Sequence, residues 1–347
     1  MLADELDCVI GVDPHRDVHT LALVFAATGG LVCTGVVAAS GRGYREALAL
    51  AEQRSLGRRA WAIEGTGSSG AGLTRFLTAR GERVFEVGRL PRQGRRSRAK
   101  TDALDAVRAA RSVLAEARPA LPRGGWERES LRALMVARES ALSSRRAATN
   151  QLRALLLTSP EQLRARLAGL TRARLLRACA ALRPGRPNQA SAGDALSLRT
   201  LARRVLALDK EEHALKQELQ ARVQAWAPQL LSETGVGPIS ATQILISWSH
   251  HGRIHSEAAF ARLAATAPIP ASSGQTIRHR LHPGGDRQLN RALHTITISR
   301  RKHHPETIAY ITRRTSEGKS VREAIRCLKR YLARHLYRLL QAMPATA

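Results

Sequence analysis

The sequence predicts an α/β domain followed by a helical remainder, on three observations: short runs of Val, Leu and Thr near the start, helix and strand patterns alternating behind them, and a long central stretch with no strand signal. Residues 7–13 (DCVIGVD), 19–25 (HTLALVF) and 31–38 (LVCTGVVA) read as strands, because their residues suit a pleated surface and Pro14 and Gly29-Gly30 separate them. Their succession predicts an antiparallel meander. A helix from Gly43 to about Gln53, a strand over 60–64 (AWAIE), a helix over Ser69–Ala79 and a strand over 83–87 (RVFEV) follow, which makes the sheet mixed. Arg89–Arg98 then holds five Arg with Pro91 and Gly94, the composition of a basic loop, and a helix starts near Thr101. From about Glu127 to Trp226 the pattern is one of long Leu/Ala/Arg helices, broken at Arg183-Pro184-Gly185-Arg186-Pro187 and reading as a coiled-coil arm without a strict heptad. A compact, mainly helical region with a basic last helix closes the chain. The expected division is residues 1–125, 126–227 and 228–347.

Charge sets the partner class. The 347 residues carry 56 Lys and Arg against 28 Asp and Glu, a net charge of +28. That makes an ordinary small-molecule enzyme a poor first reading and a phosphate polymer the expected ligand, since each neutralised phosphate releases condensed counterions. Apolar residues at 44% are enough for folded domains rather than a basic tail. Acids in MLADELDCVIGV stand where a signal peptide needs a basic segment, and no apolar run is long enough to span a bilayer, so the expectation is a cytoplasmic, nucleoid-associated protein with no membrane partner. Cys8, Cys33, Cys179 and Cys327 are widely spaced and read as reduced, mostly buried thiols.

Acids are scarce, so their positions matter. Asp13 closes the first strand, Glu64 closes the fourth, and Asp102 and Asp105 lie three apart on one face of the helix after the basic loop. Singly, each has a plain explanation as a turn residue, a solvated strand end or a helix N-terminal acid. Four carboxylates gathered together would repel unless a divalent cation lay among them, and their hard oxygens suit Mg²⁺ or Mn²⁺ in phosphoryl chemistry. The order strand-Asp, later strand-Glu, helix DxxD is that of an RNase H-like, RuvC-like nuclease fold. Gly65–Gly70 (GTGSSG) superficially fits a dinucleotide fingerprint, but Glu64 would face the incoming pyrophosphate.

In the last region, Leu231–Ala241 (LSETGVGPISA) reads as a helix-hairpin-helix element in which Gly235 and Gly237 permit a tight turn that presents backbone N–H groups to a DNA phosphate; a plain helical turn is the alternative. Ala267–Thr276 (APIPASSGQT) places Ser272 and Ser273 beside Gly274, with Arg278 and Arg280 close behind. A serine hydroxyl among cations suits attack on a phosphodiester, although serine-glycine loops are ordinarily only loops. His250, His251 and His255 read as exposed helix-end histidines, and His303-His304 as a helix terminus. The arginines between Arg322 and Arg338 read as phosphate contacts, a solvated helical face being the alternative.

Taken together, VIGVDPHRDVHT, AIEGTGS, the KTDALDA box, LSETGVGPISA and APIPASSGQT…GGDRQLNRALH make the chain resemble the DEDD transposases of the IS-110 insertion-sequence family, the bridge-RNA-guided recombinases. The resemblance covers nearly the whole length. It implies a RuvC-like domain whose metal-binding tetrad is Asp13, Glu64, Asp102 and Asp105, and a nucleophile at Ser273, with Ser272 as the fallback, that links transiently to DNA. It also implies a homo-oligomer, a dimer assembling to a tetramer, in which one subunit's carboxylates meet another's serine. The partners it implies are the DNA of element ends and target, and a bridge RNA that selects sequence. Arg89, Arg92, Arg95, Arg96, Arg98, Gly235, Gly237, Arg278 and Arg280 are the expected nucleic-acid contacts. A metal-dependent structure-selective nuclease and a non-catalytic nucleic-acid scaffold are the competing readings.

Overall fold

A computed structural model describes residues 2–55, 57–88, 102–186, 192–270, 279–280 and 284–344. The chain forms two compact units, one from Met1–Gly125 with Trp248–Ala259, the other from Trp126–Ser247 with Phe260–Pro344.

The first unit begins with α1 (Leu2–Glu5), β1 (Cys8–Pro14), β2 (Val18–Phe25), β3 (Leu31–Ala38), α2 (Gly41–Arg54), β4 (Arg59–Glu64), α3 (Ala71–Thr78), β5 (Val84–Val87) and α4 (Asp102–Ala115). Its sheet has the order β3-β2-β1-β4-β5. The first three strands form the antiparallel meander, while β1, β4 and β5 run parallel. This mixed layout is compatible with the RNase H-like expectation. The helix read over Ser69–Ala79 starts later, at Ala71, because residues 65–70 are spent on turns in which Gly65 takes φ +62. Ser40 starts α2 by accepting from the Gly43 N–H.

Alternation along the central strands divides the sheet into two faces. Val9 of β1 and Ala60 and Ala62 of β4 pack with Ala22, Val24 and the α4 residues Ala106, Val107, Ala109, Ala110 and Val113. On the other face Ile10, Val12, Leu21, Leu23, Trp61 and Ile63 pack with Ala47, Ala51, Leu73 and Leu77 of α2 and α3. The stretch read as a basic loop, Arg89–Arg98, lies outside the described residues.

In the remainder, α5 (Trp126–Thr158) and α8 (Ala192–Trp226) are the long helices of the arm, joined through α6 (Glu161–Leu167) and α7 (Arg172–Ala180). They run antiparallel, as the ion pairs Arg138–Glu212 and Arg145–Asp209, both 2.6 Å, require. Ala148 and Leu152 of α5 meet Leu198, Ala202 and Val205 of α8 in a core closed by Leu163, Leu167, Leu176 and Cys179. Beyond them come α9 (Pro228–Leu231), α10 (Pro238–Trp248), α11 (Glu257–Leu263), the short strands β6 (Ile269–Pro270) and β7 (His279–Arg280), then α12 (Arg287–His303), α13 (Pro305–Ser316) and α14 (Val321–Gln341). The antiparallel pairing of β6 with β7 adds strand to a region expected to be mainly helical. No helix among the described residues is long and apolar enough to cross a membrane.

Two side-chain expectations need correction. Only Cys8 and Cys179 are buried, while Cys33 and Cys327 are half-buried; burial pushes the Cys8 and Cys179 thiols up. His250 and His251 are half-buried rather than exposed: the ring nitrogens of His250 reach the carbonyls of His251 and Pro122 at 2.7 and 3.0 Å, and His251 meets Trp248 edge-on. They anchor a loop within the first unit. His304 behaves as expected, ending α12 and accepting from the Thr307 N–H to start α13.

Candidate metal centre

Parallel pairing brings the first two carboxylates side by side. Val12 is opposite Ile63 in the β1–β4 register, so Asp13 and Glu64 stand one residue further along neighbouring strands. Gly11 and Asp13 share a face of β1, and Ala62 and Glu64 share a face of β4. Because Val9 and Ala62 pack against α4, this is the α4 face.

A missing side chain brings the helix down to them. A Cβ placed on Gly11 would lie 1.9 Å from the Ala106 carbonyl oxygen and 2.8 Å from the Ala110 nitrogen, so only glycine allows the α4 backbone this close to β1. Asp102 is one turn before Ala106 on the same side of α4, and the close packing delivers it to the end of β1. The tie is a histidine: His15 Nε2 lies 3.4 Å from Asp13 Oδ2 and 3.6 Å from Asp102 Oδ2. One ligand atom from each of Asp13, His15 and Asp102 lies within 4.8 Å of the others, the grouping found among the described residues.

The four predicted carboxylates are thus placed differently. Asp13, whose side chain is 17% exposed, and the more open Asp102 meet through His15. Glu64 is half-buried at the neighbouring strand end. Asp105 lies on the adjoining side of the α4 N-terminal turn, where it accepts from Arg108 at 3.0 Å. His15 is the member that residue-by-residue reading missed; its only signal is the Asp-x-His spacing, which repeats the strand period past the end of β1. On the opposite face, burial lowers the pKa of His19, whose ring stacks on Tyr44 at 5.7 Å.

The donor chemistry fits a divalent cation. Carboxylate oxygens are the usual ligands of Mg²⁺ and Mn²⁺, and an imidazole nitrogen is accepted more readily by Mn²⁺. The glycine-rich turn after Glu64 does not offer a dinucleotide cradle: a Cβ on Gly70 would meet Ile63 Cγ2 at 2.7 Å and the Glu64 carbonyl at 3.0 Å, so its space is filled by the chain itself.

The other predicted contacts are distributed along the chain. Gly235 has φ +80, and a Cβ there would lie 3.0 Å from the Ile296 carbonyl of α12. Arg300 locks this turn by donating to the Thr234 carbonyl at 2.6 Å and to Glu233 at 2.7 Å, and His335 lies 3.0 Å from the same carboxylate. Burial pushes Glu233 up, but the His335 and Arg300 partners outweigh it and hold the carboxyl below its usual range. Gly237 faces open space and precedes Pro238, the first residue of α10. The turn joins α9, which has only 4 residues, to α10. Arg280 belongs to β7. Arg89, Arg92, Arg95, Arg96, Arg98, Ser272, Ser273 and Arg278 lie outside the described residues.

Two family models match the chain. One, described as the transposase IS116/IS110/IS902 family, covers residues 227–312. The other, a transposase model for the DEDD proteins of IS110 elements, covers residues 10–159 and so takes in all four carboxylates. The chain is also 29% identical over 145 residues to an uncharacterized 43.6 kDa protein of insertion element IS110 from Streptomyces coelicolor, a stretch that is 41% of this chain and 36% of that relative.

Proposed function

Because the chain belongs to the IS116/IS110/IS902 transposase family, we propose that it excises and inserts an insertion-sequence DNA element by serine-dependent strand cleavage and exchange. The observation that supports this most is the convergence of Asp13 and Asp102 on one face of the sheet, with Glu64 on the adjacent strand and Asp105 in the same helical turn region. Asp13, Glu64, Asp102 and Asp105 would hold Mg²⁺ or Mn²⁺ in an RNase H-like domain. A cation held there would supply positive charge to phosphoryl oxygens when strands are cleaved.

Ser273, or Ser272 beside it, contributes the hydroxyl that displaces a sugar oxygen from the scissile phosphodiester, leaving the phosphate joined to the protein. A hydroxyl of the exchanging strand then reverses the displacement, and the phosphodiester is conserved. Residues 1–125 carry the carboxylates, 126–227 form the arm that assembles subunits into a dimer and then a tetramer, and 228–347 carry the serine. The turn at Gly235 and Gly237 acts as a helix-hairpin-helix phosphate contact. Arg89, Arg92, Arg95, Arg96, Arg98, Arg278 and Arg280 neutralise backbone phosphates, and a bridge RNA selects the sequences joined.

Denaturing electrophoresis of the protein with element-end DNA and its RNA tests the reading. A covalent protein–DNA adduct should form with the unaltered chain, vanish in Ser273→Ala and fall about a hundredfold or more in Asp13→Ala and Glu64→Ala. Cleavage without any adduct would favour a hydrolytic nuclease. Activity indifferent to Asp13 and Glu64 would reduce the chain to a scaffold.

A further inference from the structure

Helix α14 repeats a four-residue unit five times, R-x-Ala/Leu-x, as REAI, RCLK, RYLA, RHLY and RLLQ. Arg322, Arg326, Arg330, Arg334 and Arg338 form one row, and Ala324, Leu328, Leu332, Leu336 and Leu340 form another two residues on. Two residues turn an α-helix by about 200°, so the rows lie on opposite faces along the whole helix. The structure follows the pattern: Ala324, Leu332, Leu336 and Leu340 are buried and Leu328 is half-buried, whereas four of the five arginines are exposed and Arg330 is half-buried.

Helix electrostatics do not call for a cation at the start of the row. Arg322 is in the first turn of α14, where the helix dipole disfavours a cation. The one acid of the helix, Glu323, is engaged in the capping box, accepting from the Ser320 backbone N–H at 2.9 Å and hydroxyl at 2.7 Å. Successive arginines rise by about 6 Å and the row extends over about 24 Å, a length along which one strand of duplex DNA presents about seven phosphates. Each four-residue step also turns the row by about 40°, so three consecutive arginines span about 80° of the helix surface and present one cationic face to a line of anions. The helix also lies beyond residue 312, where the family match to the C-terminal region ends.

We propose that the arginine row of α14 is a docking surface for the phosphate backbone of double-stranded DNA, independent of the carboxylate centre. The choice of DNA over RNA rests on the transposase reading; the complementarity to a phosphate backbone does not. Neighbouring arginines held at fixed intervals on one such arc neutralise phosphates without reading bases, so the row contributes affinity and orientation, and sequence choice lies elsewhere.

Fluorescence anisotropy with a labelled duplex of arbitrary sequence, across about 50–200 mM salt, tests the proposal. The triple variant Arg322→Gln, Arg326→Gln and Arg330→Gln should flatten the slope of log affinity against log salt by about 2 to 3 and weaken binding at least about tenfold. Lysines at the same three positions should restore most of the slope. Removing equal charge from α2, by Arg42→Gln, Arg45→Gln and Arg54→Gln, should change the slope by less than about 1. Circular dichroism should report unchanged helicity in every variant. Equal losses from the two glutamine triples, or none from α14, would overturn the proposal, as would a loss seen with an RNA hairpin but not with the duplex. The measurement involves no strand cleavage. A chain with this slope but no phosphoserine adduct would overturn the proposed function and leave the row standing, and the reverse result would do the opposite.

Discussion

The two faces of the N-terminal sheet are built on different principles. Against the middle of α4 the strands present Gly11, Ala22, Ala60 and Ala62, and the helix answers with Ala106, Ala109 and Ala110, larger residues such as Val9, Val24, Phe85, Val107 and Val113 packing around them. Against α2 and α3 they present Ile10, Val12, Leu21, Leu23, Trp61 and Ile63. Small residues remove little apolar surface from water but let backbones approach. Bulky ones supply the burial that drives folding. The centre of the α4 face therefore gives up hydrophobic area for position, and that position is where Asp13 and Asp102 meet; the opposite face has bulky residues at its centre.

Trp61→Ala should separate the two roles most forcefully. The ring is completely buried, so its loss should cost about 4 kcal/mol in urea denaturation, while the folded fraction keeps its affinity for Mn²⁺. Gly11→Ala comes next, at about 3 kcal/mol, because the new methyl group meets helix backbone that cannot rotate away. Unlike the tryptophan variant, it should also weaken Mn²⁺ binding, measured by electron paramagnetic resonance, since α4 must retreat and carry Asp102 with it. Retention of full Mn²⁺ affinity in Gly11→Ala would break the contrast between the faces.

A smaller effect concerns an ion pair at the edge of the bulky face. Glu82 accepts from Arg59 at 2.6 Å and from the Trp61 indole at 2.8 Å. Burial pushes its carboxyl up, but these partners outweigh that and hold it below the usual range. A depressed carboxylate stabilises the fold above its unfolded-state pKa and loses that contribution as pH falls through the folded value. Glu82→Gln should therefore cost about 1–2 kcal/mol at pH 7, and the gap from the unaltered chain should close below about pH 4 in thermal unfolding. The smallest effect extends the logic of Gly11 to the C-terminal turn. Gly235→Ala, at positive φ against α12, should cost about 1 kcal/mol, and Gly237→Ala, facing open space, less than about 0.5.

Much of the secondary structure was legible because it is written in local periods. The three meander strands, the Trp61 strand and the helix beginning at Asp102 all lie within a few residues of where alternation and turn residues put them. Two-residue strands such as β6 and β7 are too short to show a period and escaped notice. Nothing around Gly11 announces its purpose, because the groups that require it, Ala106 and Ala110, are far along the chain. His15 was obscured by a different cause: a lone histidine in a turn has many ordinary uses until a carboxylate from another element stands beside it.

What the amino-acid order determined by itself was the large positive charge, the strand and helix segments, the scarce acids at element ends and the four-residue rhythm of α14. These depend only on neighbours along the chain, so composition and spacing carry them. Tertiary structure decided which face each acid shares, that Asp13 and Asp102 meet through His15 while Asp105 turns to Arg108, and that Leu332, Leu336 and Leu340 of α14 take the core while four of its five row arginines stay exposed. Those outcomes depend on how closely two backbones approach and what they bury between them, free energies that belong to pairs of elements and are not expressed within either one.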